Sequence, residues 1–168
     1  MGADLVWVAT VESACTPIKT LGPDLIVLPF LGAGGGRALT PDDATPGSLS
    51  SVFARVDSCV IGPGLGRADA AWEDARAVLD ACRAASKPVV IDGDALFFAA
   101  REPASVRGLS TAVLTPNAAE LARLCEAVRV SDAASLAAAL GVGVVAQGEV
   151  DEIFWGSAAA TVDAPGAP

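Results

Sequence analysis

The residues with chemistry to offer sit where short apolar runs end. Val60 to Arg67 reads VIGPGLGR, two β-branched residues running into three glycines and a proline. A strand that turns sharply into a helix needs glycine for its unusual φ angles, and so does a backbone that a ligand approaches closely. Gly62, Gly64 and Gly66 are spaced GxGxG, and Arg67 stands where a GxGxxG dinucleotide fingerprint requires its third glycine, so a nicotinamide Rossmann site is disfavoured. What remains is a strand-to-helix turn at the carboxyl end of a parallel strand. Open α/β sheets place ligands there, and free amides with a helix dipole attract anions. A purely structural turn is the competing reading.

Three more strand ends carry polar groups. VVIDGDAL puts Asp92 and Asp94 past one strand; AVLTPNAAELARL puts Thr115, Pro116 and Asn117 between a strand and a helix bearing Glu120; GVGVVAQGEVDEIF puts Gln147, Gly148 and Glu149 in a turn. Each has a bland counterpart. Asp94, Asn117 or Thr115 can cap a helix, and QGEVD can be a hairpin turn. Asp92 and Asp94 suit magnesium or water ligation, or a solvated turn and a cap, and neither is assigned as catalytic.

The elements that must position these groups alternate. Strands are expected at Asp4–Ala9, Asp24–Pro29, Ser58–Gly62, Pro88–Asp92, Ala112–Thr115 and Gly143–Gln147, with a further extended run at Ala158–Val162. Helices are expected at Val11–Leu21, Ala68–Ser86, Asp94–Ala100, Asn117–Ala127 and Asp132–Leu140. The clearest has Trp72, Ala75, Leu79 and Cys82 at helical spacing and Glu73, Asp74, Arg76, Asp80 and Arg83 on the other face. Continuous apolar strands separated by helices indicate a parallel sheet covered on both faces, an α/β layered fold. Gly32 to Ser51, rich in glycine, proline, serine and threonine, reads as a long surface loop. Its GAGGGR lacks the phosphate-loop lysine and holds Arg37 at the third glycine position.

Bulk properties agree with one domain over residues 1–168. The 168 residues are 52% hydrophobic, enough for a core. Eleven basic against twenty acidic residues leave a net charge of -9, which opposes a nucleic-acid footprint. Cys15, Cys59, Cys82 and Cys125 form no CxxC pair and there is no histidine to complete a zinc site, so buried thiols in a reducing compartment are expected. No apolar run approaches the ~20 residues of a membrane span, and the N-terminus lacks a secretory pattern. A cytoplasmic location without membrane association is the expectation.

In order, VIGPGLGR, PVVIDGDAL, VLTPNAAELARL and VVAQGEVDEI resemble the ATP- or ADP-dependent NAD(P)H-hydrate dehydratase family, with the similarity running from Gly2 to about Ile153. TPN and QGExD are closer to the eukaryotic, ATP-using branch. The resemblance implies a three-layer ribokinase-like α/β fold with a mostly parallel central sheet. It also implies ATP and Mg2+ as cofactors and hydrated NADH or NADPH as substrate, and leaves a homo-oligomer open. The hydrate's new hydroxyl is phosphorylated and phosphate elimination restores the dihydropyridine. Mapped residue by residue, Gly66, with Gly62 and Gly64 shaping its turn, would approach the substrate, and Asn117, Ala118, Ala119, Glu120, Leu121, Ala122 and Arg123 would wall it. Gln147, Gly148, Glu149, Val150 and Asp151 would lie against ATP.

Two departures stand beside the match. Gln147 occupies a position where the family has lysine, removing a positive charge from the phosphates. The family's GxGD segment, which forms an anion hole and supplies the catalytic aspartate, has no counterpart here, so no catalytic residue is assigned. The expectation is an incomplete domain lacking elements at both ends, with apolar sheet surface left uncovered. A non-catalytic nucleotide-binding paralogue and a small-molecule kinase of the same superfamily are the alternatives.

Overall fold

The computed structural model describes residues 3–31 and 48–163. The chain divides into two compact units, Met1–Val56 with Ala68–Val78, and Asp57–Arg67 with Leu79–Pro168.

In the first unit β1 (Trp7–Val11) lies parallel to β2 (Ile26–Leu31), Trp7 opposite Ile26, and α1 (Glu12–Leu21) between them in sequence packs on both. Both strands begin two or three residues later than the apolar runs suggest: Leu5 and Val6 are exposed ahead of β1, and Val6 joins the pairing only through its carbonyl, which accepts the Ile26 amide at 3.0 Å. The expected long loop is corrected at its end. The Ser48 hydroxyl accepts the Ser51 amide at 3.1 Å and starts a short helix, α2 (Leu49–Phe53). Residues 32–47, with the GAGGGR run, lie outside the described residues. The unit boundary crosses α3 (Asp69–Ala85), whose predicted apolar stripe, Trp72, Ala75, Leu79 and Cys82, is buried throughout.

The second unit is built on a six-stranded sheet: β3 (Cys59–Ile61), β4 (Val89–Ile91), β5 (Ala112–Leu114), β6 (Gly143–Ala146), β7 (Asp151–Trp155) and β8 (Ala158–Val162). The strands neighbour one another in chain order. The first four run parallel, and β7 and β8 turn back as antiparallel hairpins, so the sheet is mostly parallel as expected. Between the parallel strands come α4 (Asp94–Arg101), α5 (Ala118–Val128) and α6 (Ala133–Leu140). α4 touches α5, α5 touches α6, and α6 packs on β6.

Register sorts the strand side chains onto two unequal faces. Ile61, Val89, Ile91, Ala112, Leu114, Val144 and Ala146 are buried, as are Leu96, Phe98, Leu124, Leu136 and Leu140 of the helices. On the other face Val60 pairs with Val90, Val90 with Val113 and Val113 with Gly143, and beside that row Val145 pairs with Ile153. Here Val60 is 67% exposed and Trp155 47% exposed, while Val90, Val113, Val145 and Ile153 are half-buried. Among the described residues, then, one face of this sheet is fully buried and the other only partly. Trp155 lays its ring over Gly143, where an added methyl would sit 2.7 Å from the ring edge.

All four cysteines are free, but only Cys82 and Cys125 are buried. Cys82 is held protonated, first by donating its hydrogen to Cys59 and then by burial. Among the described residues no helix is long and apolar enough to cross a membrane.

The open face makes a measurable claim. Val60→Lys should reduce binding of the apolar dye anilinonaphthalene sulfonate while shifting unfolding stability by no more than about 0.5 kcal/mol, the usual size for a surface change. A large fall in the urea midpoint would instead show that Val60 is part of the packed core.

Candidate ligand site at the strand ends

Parallel strands direct their carboxyl ends to one edge of the sheet, and the four singled-out segments follow β3, β4, β5 and β6 there. Neighbouring strands are ~4.8 Å apart, so the outer two segments are separated by roughly 14 Å of edge.

The turn after β3 is built by sterics. Gly62 has φ +123°, and a methyl on it would lie 1.7 Å from the Asp92 carbonyl oxygen and 2.8 Å from Ala95 Cβ. Only glycine fits between the β3 exit and the β4–α4 corner. Its carbonyl accepts the Leu65 amide at 3.0 Å, closing the turn. Gly64 and Gly66 also have positive φ, +68° and +78°, but a methyl on either would meet no atom within 4 Å. The turn is thus packed at its base and open at its tip.

Asp94 braces that tip. Its Oδ2 accepts the Gly66 amide at 2.9 Å and its Oδ1 accepts Arg67 Nε at 3.1 Å, across 28 and 27 residues of sequence. The helix-cap reading of Asp94 is corrected: the N-cap of α4 is Gly93, with no side-chain cap bond, and Asp94 is the first helical residue. Nor do Asp92 and Asp94 join a metal cage. Among the described residues no three His, Cys, Asp or Glu groups gather to hold an ion.

Asn117 does cap α5. Its Oδ1 accepts the amides of Ala119 and Glu120 at 3.0 Å, and Glu120 Oε2 accepts the Asn117 amide at 3.0 Å, a reciprocal capping box. Ala118, Ala119 and Ala122 are exposed and Leu121 is half-buried. Thr115 leans back on β4, its hydroxyl donating to the Ile91 carbonyl at 3.3 Å.

Gln147 to Val150 form the exposed turn of the β6–β7 hairpin, and the Gly148 amide donates to Asp151 Oδ1 at 3.0 Å. The hairpin reading of QGEVD therefore holds for its backbone. The Gln147 amide donates to the Pro116 carbonyl at 2.9 Å, tying this loop to the one before Asn117.

The glycine turn after β3 and the segment after β5 meet on a residue that sequence reasoning passed over. Arg67 ends VIGPGLGR and Arg123 ends NAAELAR, and their guanidiniums lie 4.7 and 5.8 Å from the centre of the Phe97 ring. Arg101, one turn on from Phe97 in α4, lies 6.0 Å from the same ring. The only signal in sequence was that both motifs close on arginine.

Three substitutions separate these roles by urea unfolding. Gly62→Ala should cost about 3 kcal/mol or more, as an overpacked backbone contact. Gly66→Ala should cost only about 1–2 kcal/mol, the strain of positive φ. Asn117→Ala should cost about 1 kcal/mol for the lost cap. Equal costs at Gly62 and Gly66 would contradict the packed-base, open-tip turn.

Comparison with known proteins bears on the family and the fold. Residues 1–165 match the family described as NAD(P)H-hydrate dehydratase. The ATP-dependent (S)-NAD(P)H-hydrate dehydratases of Ciona intestinalis and Ixodes scapularis are 36% and 42% identical, over 99% and 90% of this chain. In both cases the match covers 47% of the relative, so the chain spans about half the length of the curated relatives it matches. A ribokinase-like superfamily protein from Enterococcus faecalis superposes with a TM-score of 0.69 at 22% identity, over 95% of this chain and 53% of that one. The ADP/ATP-dependent NAD(P)H-hydrate dehydratase of Bacillus subtilis, co-crystallised with ATP/Mg2+, superposes at 0.59 and 18% identity, over 92% and 52%. These likenesses show a ribokinase-like fold. With a family match over almost its whole length and relatives above 30% identity, the chain belongs to the NAD(P)H-hydrate dehydratase family.

Proposed function

We propose that the chain carries the substrate turn and the nucleotide loop of an ATP-dependent (S)-NAD(P)H-hydrate dehydratase, as part of a single dehydratase domain. The observation that supports this best is the joined row of loops along one sheet edge: Asp94 links the glycine turn to the end of β4, and the Gln147–Pro116 bond links the ends of β5 and β6. In this reading hydrated NADH or NADPH lies over Gly64 and Gly66 and against the exposed face of Asn117–Arg123, and ATP lies on Gln147–Asp151.

The roles follow from what each segment leaves exposed. The tip at Gly64 and Gly66 admits a ligand close to the backbone because no side chain fills it. Asn117 and Glu120 are committed to the helix cap, so this segment would meet substrate through its small alanines and Arg123. Gln147 would offer the phosphates a neutral amide in place of a charge. Among the described residues there is no three-ligand metal cage, and Mg2+ ordinarily arrives held by nucleotide phosphates with only one or two carboxylates, so no residue is assigned to it. Bound there, it would neutralise phosphate charge during transfer. The four free thiols suit a cytoplasmic setting.

The test is ATP-dependent recovery of NADH absorbance from hydrated NADH. The chain has no GxGD, and losing a positioned base typically costs about 10²–10⁴ in rate, so the 168 residues alone should give no measurable recovery. Joined to a family-type segment containing GxGD and to the family's N-terminal element, they should restore it. Gln147→Lys should tighten ATP binding, read by calorimetry, up to about tenfold, the worth of one charge-assisted contact. Binding of ATP without any binding of the hydrate, alone or joined, would sink the dehydratase reading in favour of a nucleotide-binding paralogue.

A further inference from the structure

We propose that the groove between α4 and α5 at Phe97 is an anion subsite that takes a phosphate group. It deepens the reading above and rests on it only for the source of the phosphate. Phe97, Ala100, Arg101, Arg123, Glu126 and Ala127 line a cavity of about 280 Å³. Three guanidiniums, those of Arg67, Arg101 and Arg123, lie within 6.0 Å of the one ring centre.

This concentration of charge is out of keeping with the rest of the molecule. The protein has eleven basic residues and a net charge of -9, yet three of the eleven converge on one phenyl ring. Aromatic attraction for an exposed guanidinium is of the same order as the repulsion between neighbouring like charges, so the ring by itself is a weak reason to assemble three of them. Carboxylates do not neutralise the cluster evenly. Asp94 pairs with Arg67. Arg123 makes no ion pair among the described residues, although Glu126 lies one turn along α5, and its guanidinium rests on Phe97.

A phosphate is the ligand such groups fit. Planar guanidinium forks bind its oxygens two at a time, and an aromatic floor fixes the forks without consuming their N–H groups. Arg123, at the end of the segment read as the substrate wall, lines the groove, and Arg67, at the end of the substrate turn, lies 4.7 Å from the centre of the Phe97 ring that floors it. The phosphate of a dinucleotide lying along the sheet edge, or a free phosphate, would be held there.

The experiment follows the arginine Nε–H resonances in ¹H–¹⁵N spectra while inorganic pyrophosphate is added at ionic strength held constant with sodium chloride. Saturable shifts at Arg101 and Arg123 are expected, and Arg101→Gln or Arg123→Gln should each weaken pyrophosphate about tenfold. Arg76→Gln, on α3, should leave the affinity unchanged. If either glutamine variant misfolds by its amide spectrum, Arg123→Lys keeps the charge but loses the fork and should still weaken binding. In a second arm NADH is added to the pyrophosphate complex. Displacement assigns the phosphate to a dinucleotide, and coexistence assigns it to a free phosphate, either supporting the subsite. Shifts no larger than chloride alone produces, or an affinity indifferent to both arginine substitutions, would overturn it. None of these readouts needs turnover, so failure of the subsite and failure of the dehydratase reading are separately visible.

Discussion

The second unit depends on one close approach, the backbone of Gly62 against the carbonyl of Asp92. With no room for even a methyl group, the exit of β3 and the β4–α4 corner are pressed together. That contact fixes where α4 starts, and with it where Asp94 and Phe97 sit. Asp94 then reaches back to the Gly66 amide and Arg67, so the open tip of the turn is held by a residue that the packed base of the turn has placed. The turn is first a solution to a packing problem, and the open geometry of its tip is inherited from that solution.

Much of this was legible in the sequence because the signals were local. Apolar runs of three to six residues located every strand of the parallel set, and the stripe of Trp72, Ala75, Leu79 and Cys82 marked α3 from end to end. Asn117 before a helical run offers either a cap or a ligand contact, and the structure uses its side chain as a cap. Local signals also misled. Ser48 is a good N-cap, but it sits in a run of glycine, proline and serine, and composition outvoted it. Leu5 and Val6 look like strand residues, yet they precede β1.

The site was harder to read than the fold because its bonds span the sequence. Asp94 lies 28 residues from Gly66, and no spacing rule connects them, so a cap was the natural local guess. Phe97 and Arg101 belong to a helix whose amphipathic pattern already accounts for them. Only when α4 and α5 are side by side does the ring appear beneath the arginines that close two separate motifs. The register of the sheet is similar: each strand shows apolar residues on both faces, and only pairing reveals that Val60, Val90 and Val113 form one row that is less buried than the row beside it.

The sheet of the second unit is laid out in chain order from β3 to β8, without a strand inserted out of turn. Doubly wound sheets that add strands on both sides of a first pair must hold an early edge unsatisfied until distant sequence arrives. Here each new strand needs only its immediate predecessor, and every pairing closes a loop no longer than one crossover helix or helix pair. Short loops keep closure entropy small and favour rapid folding. During synthesis the unit can therefore assemble as it leaves the ribosome, β3 onto β4 and then strand by strand, with each backbone edge exposed only until the next segment emerges.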